Sequence, residues 1–142
     1  MKAVLQRHLG ATLRCNETLI VVKGGLLLLL GLERGDSLSK GHSLLEKVAR
    51  TAVFSDKDGR ISLPPPRNTP LLIVPNFTLP ARFKGGIPDF GRALVSSDAR
   101  PLFSYIVDRA HDHGFEAKGG PFGAQVTLQV TLEGPVTYFF DL

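Results

Sequence analysis

The spacing of apolar and polar positions predicts that the chain opens with short β-strands. Aliphatic and β-branched residues recur through 2–9, 11–15 and 17–22, and Gly10 and the pair Asn16-Glu17 interrupt them. The next run, 26–32, is leucine at every position except Gly31, and it is too short for a free-standing helix. We interpret this run as a strand that is covered on both faces.

Two helices are predicted from the 3.6-residue period. The first begins at Asp36 or Ser37, either of which can cap it, and the second begins near Asp98, has Pro101 in its first turn and ends at Gly114. The apolar stripe of the first helix consists of Leu38, Leu45, Val48, Ala49 and Ala52.

The middle of the chain contains a hairpin signal and an apolar run. Asp58-Gly59 predicts a turn between residues 53–54 and 60–63. The run 70–79 is predicted to be the central strand, because it is apolar up to Pro75 and polar where it emerges. Residues 80–97 lack a regular pattern, and a loop of this length in a small domain indicates a functional loop.

The end of the chain is predicted to complete the sheet. Strands are expected at 115–118, 122–132 and 136–141, with Gly134-Pro135 as the turn that joins the last two. The order of elements lacks regular βαβ alternation. The predicted fold class is therefore α/β in the broad sense (α+β): a mixed, largely antiparallel sheet curled into a partial barrel with two packed helices, in a single domain over residues 1–142.

The composition says more about the cellular compartment than about the chemistry of the protein. Seventeen Lys and Arg against thirteen Asp and Glu give a net charge of +4, which permits a polyanionic partner without indicating one. Cys15 is the only cysteine and cannot form an internal disulfide, and no signal peptide or membrane span is apparent. We therefore expect a cytoplasmic protein with no membrane association.

Side-chain catalytic motifs are missing from the sequence. It has no Gly-x-Ser-x-Gly elbow, Walker loop, dinucleotide fingerprint, paired-cysteine site or His-Glu-x-x-His motif. Two histidines, His111 and His113, are close to Asp108 and Asp112 and could be imagined as metal ligands, but histidines at a helix end are more often solvated. No metal or cofactor is predicted.

The sequence does contain a series of short motifs, called tags below. They are distinguished by the backbone conformations that they indicate more than by catalytic side chains. The tags are Gln6-Arg7, Gly25 to Leu32, Val53-Phe54-Ser55-Asp56-x-x-Gly59, Phe77-Thr78-Leu79, Pro88-x-Phe90, Gly120-x-Phe122-Gly123-Ala124 and Gly134-Pro135-Val136-Thr137. Together they span nearly the whole chain, and in order and spacing they resemble the D-aminoacyl-tRNA deacylase family.

The resemblance implies a homodimeric editing enzyme. Such an enzyme hydrolyses the ester between a D-amino acid, or glycine, and the terminal adenosine of tRNA, and it needs no cofactor. The backbone amides around Phe77 and Thr78 would hold the reacting carbonyl, and the 2′-hydroxyl of the RNA would assist the attacking water. The implied substrate-binding residues are Asn76, Gly134, Pro135, Arg7, Pro88, Phe90 and Phe122.

In the family, the segment that corresponds to Gly134-Pro135 reaches in from the partner subunit. A cis Gly-Pro bond there would turn two carbonyls toward the α-carbon of the substrate, which leaves room for hydrogen and excludes an L side chain. A trans bond is implied for the relative with relaxed chirality, which removes L-alanine mischarged onto tRNA.

Three departures from the family motifs keep two alternatives open. Pro75-Asn76 stands where the family has Ser-Gln, Leu132 stands where it has Asn, and Ile87 precedes Pro88 where bacterial members usually have Arg. The first alternative is the relaxed-chirality editor, which shares a proline at the position of Pro75. The second is a family member that binds an RNA end or a protein partner without hydrolysis.

Overall fold

A six-stranded sheet forms the centre of the fold. The computed structural model describes residues 1–142. Its elements are β1 (Lys2–Cys15), β2 (Thr18–Val22), β3 (Gly25–Gly31), α1 (Leu38–Arg50), β4 (Phe54–Ser55), β5 (Ile61–Leu63), β6 (Thr69–Pro75), β7 (Arg82–Lys84), β8 (Ile87–Asp89), α2 (Ser96–Arg109), a 3₁₀ turn (Ala110–His113), β9 (Phe115–Gly119) and β10 (Thr127–Asp141).

The long strand β1 sets the order of the sheet, which is β10-β1-β3-β6-β9. One edge of β1 pairs with β10, and its other edge pairs first with β3 and then with β2. These pairings are antiparallel, whereas β3 with β6 and β6 with β9 are parallel. The predicted mixed, largely antiparallel sheet is confirmed.

The sheet curls until its far strands meet. Lys118 on β9 reaches across and donates from Nζ to the carbonyl of Val21 on β2, at 3.3 Å. The predicted partial barrel with two packed helices is confirmed in this form. No helix of the structure is long and apolar enough to cross a membrane.

Both faces of β3 are covered, as its uniform leucine sequence predicts. Leu26, Leu28 and Leu30 join the larger core under the helices. Leu27 belongs to a smaller core on the opposite face, together with Leu13 and Leu72. Burial on both faces explains why this strand shows no alternation of apolar and polar residues.

Helix α1 follows the prediction closely. Ser37 is the cap, and its hydroxyl accepts from the Lys40 amide at 3.3 Å. Two of the predicted stripe residues, Leu45 and Val48, are buried, whereas Leu38 is 53% exposed because it lies in the first turn, before the helix reaches the core. Gly41 lets the helices approach, since a Cβ there would lie 2.8 Å from Ile106 on α2.

Helix α2 begins at Ser96, slightly earlier than the predicted start near Asp98. Consequently Pro101 lies inside the helix rather than in its first turn. Its missing N–H removes one helical hydrogen bond, which the packing of Leu102 and Phe103 in the core offsets. The helical segment ends at Gly114, as predicted, in a left-handed conformation.

Two predicted strand breaks are wrong. Gly10 does not divide β1, and Gly134-Pro135 is not a turn between two strands. Both fall inside long strands because β1 and β10 pair along their whole length. The Gly134-Pro135 segment is accommodated as a bulge: Gln6 faces Thr137 and His8 faces Leu132, so residues 133–136 all lie opposite Arg7.

The central strand and the loop after it also differ from the prediction. Strand β6 ends at Pro75 rather than at residue 79. Residues 80–97 are not wholly irregular, since β7 and β8 form a separate two-stranded hairpin. Gly85 and Gly86 form its tip with positive φ values of 57° and 86°, which glycine adopts readily. The predicted β4–β5 hairpin, with Gly59 in its turn, is confirmed.

One buried polar residue of β1 gives the fold a pH dependence. His8 is 1% exposed, and neither ring nitrogen has a hydrogen-bond partner. Burial lowers the pKa of His8 from 6.5, and the nearby backbone of Leu26 offsets this only in part. Between the folded-state pKa and 6.5 the unfolded chain therefore binds more protons than the folded chain.

We expect the free energy of unfolding to fall as the pH is lowered from 6.5, and His8→Gln to reduce that slope. Urea titrations between pH 7.5 and 5 measure it. His111→Gln, the same substitution at an exposed histidine, is the matched control. Equal slopes for wild type and His8→Gln would contradict the assignment, whatever the absolute stability of the variant.

Candidate active site

A cavity of about 440 Å³ opens where β3 and β6 end. Its walls are mainly apolar, and its few polar side chains are uncharged. The lining residues are Leu30, Leu32, Pro75, Asn76, Phe77, Leu94, Ser96, Ala99, Phe122, Gly123, Ala124 and Gln125. The cavity is suited to a flat, largely apolar group with a few hydrogen-bonding positions at its edge.

The turn at the cavity mouth is fixed by Asn76. Its amide donates to the carbonyl of Leu30 at 2.8 Å, just beyond the last residue of β6. Its side-chain Oδ1 accepts from the Thr78 amide at 3.1 Å and from the Thr78 hydroxyl at 2.6 Å. This Asx turn bends the chain away from the sheet.

Because of this turn, Phe77 and Thr78 differ in what they can offer a ligand. The Thr78 amide and hydroxyl are both engaged by Asn76, and Thr78 does not line the cavity. The Phe77 amide has no acceptor within the chain, and Phe77 does line the cavity. Of the two amides expected to hold a carbonyl, the free one is that of Phe77.

Phe122 is a second aromatic wall of the cavity. Its ring lies 5.7 Å from that of Phe103 in the core, and the Arg100 guanidinium lies 5.1 Å from its centroid. Arg100 also donates to the Phe122 carbonyl at 3.4 Å. The predicted residue Phe122 is thus at the cavity, and a cation that the sequence did not single out lies beside it.

The β7–β8 hairpin extends from the same region. The ring of Phe90, just after β8, meets that of Phe77 edge-on with centroids 5.2 Å apart. Pro88 lies within β8 and pairs with Phe83 across the hairpin. Hydrogen bonding from the Gly91 amide, and then the charge of Lys84, lower the pKa of Asp89 on this hairpin.

Neither acids nor nucleophilic thiols nor histidines line the cavity. No group of three or more His, Cys, Asp and Glu residues in the structure could hold a metal. His113 instead meets His42 of α1 with ring centroids 4.8 Å apart, and burial and then the charge of His42 lower its pKa. The cavity offers a backbone donor, polar edges and shape, rather than general acid–base side chains.

The remaining predicted residues form a second group at the bulge of β10. Arg7 is buried there, with its Nε 2.9 Å from Glu133 Oε2, and it donates from Nη1 to the carbonyl of Val53 at 2.7 Å. Above it, Gly134 and Pro135 are exposed, and the peptide bond between them is cis. The structure therefore brings Arg7, Gly134 and Pro135 together.

The two groups do not meet within one chain. On β1, Lys2 pairs with Gly31 at the cavity end, and Arg7 pairs with Leu26 at the other end. Lys2 and Arg7 are five positions apart, which corresponds to about 17 Å of strand. In addition, β10 and β6 are separated by β1 and β3 in the sheet. The bulge and the cavity of one chain therefore lie at opposite ends of the β1–β3 ladder.

Some cavity residues gave no signal in the sequence. Ser96 and Ala99, from the first turns of α2, and Gln125, from the loop before β10, are small or polar residues outside any motif. Ser96 and Ala99 reach the cavity through the packing of α2 on the sheet, and Gln125 reaches it through the course of the loop before β10. Local sequence patterns report neither. Leu30 and Leu32 were predicted to lie in a buried strand and belong to the tag Gly25 to Leu32, but they were not predicted to line a cavity.

The chain is similar to known proteins over nearly its whole length. The protein-family model described as D-Tyr-tRNA(Tyr) deacylase matches residues 4–141. The chain is 34% identical to a D-aminoacyl-tRNA deacylase of Acinetobacter baumannii strain ACICU, over 100% of this chain and 99% of that protein. It is 36% identical to a D-aminoacyl-tRNA deacylase of Syntrophomonas wolfei, over 99% and 97% respectively.

A solved structure is also similar over its whole length. It is titled c-Myc DNA Unwinding Element Binding Protein, and it superposes with a TM-score of 0.88 at 26% identity, covering 100% of this chain and 99% of that one.

We expect Arg7→Lys to lower the free energy of unfolding by roughly 1–3 kcal/mol, because a lysine cannot reach both the Val53 carbonyl and Glu133 from this buried position. Urea denaturation measures the loss. Arg14→Lys, at an exposed position of the same strand, is the matched control and should change stability by less than about 0.5 kcal/mol. Similar values for the two variants would argue against a supporting role for Arg7.

Proposed function

This chain belongs to the D-Tyr-tRNA(Tyr) deacylase family, and from that membership we propose that it hydrolyses the ester between a D-amino acid, or glycine, and the terminal adenosine of tRNA. The reaction removes the wrong amino acid from tRNA and is a proofreading step in translation. We accordingly place the protein in the cytoplasm, with the 3′ end of aminoacyl-tRNA as its partner. It is a hydrolase.

The observation that carries the mechanism is the free amide of Phe77 at the mouth of a cavity without titratable side chains. We assign this amide as the donor to the ester carbonyl, whose oxygen becomes negative as water attacks. One such donor contributes about 10²- to 10³-fold in rate. Thr78 supports the turn through its bonds to Asn76 instead of binding the carbonyl.

An ester of this kind needs little further help from the protein. It is already activated, and the 2′-hydroxyl of the terminal ribose lies next to the reacting carbonyl, where it can assist the water. The protein then has to hold the adenosine in place. In our proposal the base enters the cavity between Phe122 and the aliphatic wall, with Asn76 and Gln125 at its polar edge.

The Gly134-Pro135 bulge is assigned to the site of a second copy of the chain. The bulge and the cavity lie at opposite ends of β1, which supports a homodimer in which each bulge closes the partner's cavity. Exposed apolar side chains flank the bulge, with Leu9 60% and Leu132 42% exposed. In this arrangement Arg7 acts by holding the bulge in shape, through Glu133.

A second candidate function is binding of a nucleic-acid end without hydrolysis. The similar structure titled c-Myc DNA Unwinding Element Binding Protein supports it, since that title names a nucleic-acid binder. Pro75, Asn76 and Leu132, which replace family motif residues, also favour it. The same assay separates the two functions.

We expect the purified protein to hydrolyse D-tyrosyl-tRNA and glycyl-tRNA and to leave L-tyrosyl-tRNA intact. Substrates that end in 2′-deoxyadenosine are the control and should react much more slowly, because the assisting hydroxyl is removed. Release of labelled amino acid measures the rates. Tight tRNA binding with no hydrolysis would favour the second candidate, and hydrolysis of L-alanyl-tRNA alone would move the protein to the relaxed-chirality branch.

We expect Asn76→Asp to lower kcat by at least about tenfold at neutral pH. The substitution keeps the acceptor for Thr78 but adds a negative charge beside the developing oxyanion. Asn16→Asp, the same change in an exposed turn, is the matched control. An unchanged kcat for Asn76→Asp, at unchanged fold stability, would remove Phe77 from the oxyanion site.

A further inference from the structure

The β7–β8 hairpin has two chemically different faces. Residues that pair directly across an antiparallel ladder place their side chains on the same face. Phe83 pairs with Pro88, whereas Arg82 pairs with Asp89 and Lys84 pairs with Ile87. One face of the hairpin therefore carries Phe83 and Pro88, and the other face carries the charged side chains.

The aromatic face is open and continues into the candidate active site. Phe83 is 71% exposed, and Phe77 at the cavity mouth is 64% exposed. Phe90 follows Asp89 in the alternation, which puts it on the side of Phe83 and Pro88. Its ring contacts that of Phe77 at 5.2 Å, so these two rings lead from the cavity toward the face of the hairpin that carries Phe83.

The charges on the hairpin favour a polyanion. Arg82 and Lys84 flank Phe83 in sequence, and Asp89, which lies 3.7 Å from Lys84, is the single carboxylate among them. Exposed aromatic rings beside cations that outnumber the neighbouring carboxylates are typical of sites for single-stranded nucleic acid. A protein partner or a second copy would not require this positive charge, and neither would explain why the rings of Phe77 and Phe90 lead from the cavity toward the hairpin.

We propose that the β7–β8 hairpin binds the unpaired nucleotides that precede the terminal adenosine of tRNA, with their bases stacked on Phe83 and Pro88 and their phosphates near Arg82 and Lys84. The inference rests on the proposed function for the position of the adenosine in the cavity. It adds a second contact area on the hairpin, which begins next to Phe90 and is about as long as the three-residue strand β8. This area acts on binding of the RNA and not on the chemical step.

The test compares aminoacyl-tRNA with the 3′-aminoacyl ester of adenosine alone, which lacks the preceding nucleotides. Phe83→Leu keeps an apolar side chain but removes the ring. We expect it to raise KM for D-tyrosyl-tRNA about tenfold and to leave kcat, and all constants for D-tyrosyl-adenosine, unchanged. Phe83→Trp, which restores a ring, should recover the wild-type KM.

A matched control is Phe139→Leu, the same substitution at a phenylalanine that is 58% exposed on β10. It should leave both substrates unaffected. Arg82→Gln should weaken tRNA binding and make its logarithmic salt dependence shallower by about 0.7, the value for one phosphate contact on a single strand. Equal effects of Phe83→Leu on both substrates, or no effect on either, would overturn the proposal.

Binding of uncharged tRNA separates this inference from the proposed function. If the wild-type protein hydrolyses neither ester, the deacylase assignment fails, but the hairpin can still be tested with tRNA that has or lacks its last three nucleotides. The hairpin site would be supported if the wild-type protein binds the intact tRNA about tenfold more tightly than the shortened tRNA, and if Phe83→Leu abolishes this difference. Equal binding of both tRNAs, or a change of oligomeric mass in Phe83→Leu by sedimentation, would refute it.

Discussion

The candidate site depends on the parallel pairing of β3 with β6. Leu30 pairs with Pro75 at the end of this ladder, and Pro75 has no N–H with which to continue it. The Asn76 amide makes one last bond to the Leu30 carbonyl, and the chain then leaves the sheet. Gly31 lets the turn pack close, because a Cβ there would lie 2.8 Å from Leu79 and Pro80 and 3.0 Å from the Asn76 carbonyl. The free Phe77 amide is a product of this arrangement.

Those parts of the fold that depend on local chemistry were predictable. Ser37 caps α1, Gly59 turns the β4–β5 hairpin, and the uniform leucines of β3 lie between two cores. Long-range pairing was not predictable from local patterns. Gly10 and Gly134-Pro135 have the composition of strand breaks, yet they lie within strands because fourteen residues of β1 pair with a fifteen-residue partner that tolerates a bulge.

The sequence predicted several of the residues that lie at the cavity, but it did not predict their hydrogen bonds. The order of short tags brought Asn76, Phe77, Phe90 and Phe122 together, and the structure places all four at or beside one cavity. Which amide is free could not be deduced, because it depends on the direction of the Asn76 side chain. A glutamine, which is one methylene longer, would not reach Thr78 from the same backbone in the same way. In this chain the Asx turn of Asn76 therefore determines which of the two amides is free.

The Phe77 amide alone, in a cavity without a titratable lining, can lower the barrier only modestly through charge stabilisation. Most of the remaining acceleration must come from holding the ester and its neighbouring hydroxyl in a reactive orientation, which is worth several kcal/mol when the fit is close. Three surfaces share that task in the proposed mechanism: the cavity for the adenosine, the hairpin for the nucleotides before it, and the partner's bulge for the amino acid. Only the last of these touches the α-carbon, so selection between amino acids follows from the shape of the bulge, which Arg7 supports from beneath.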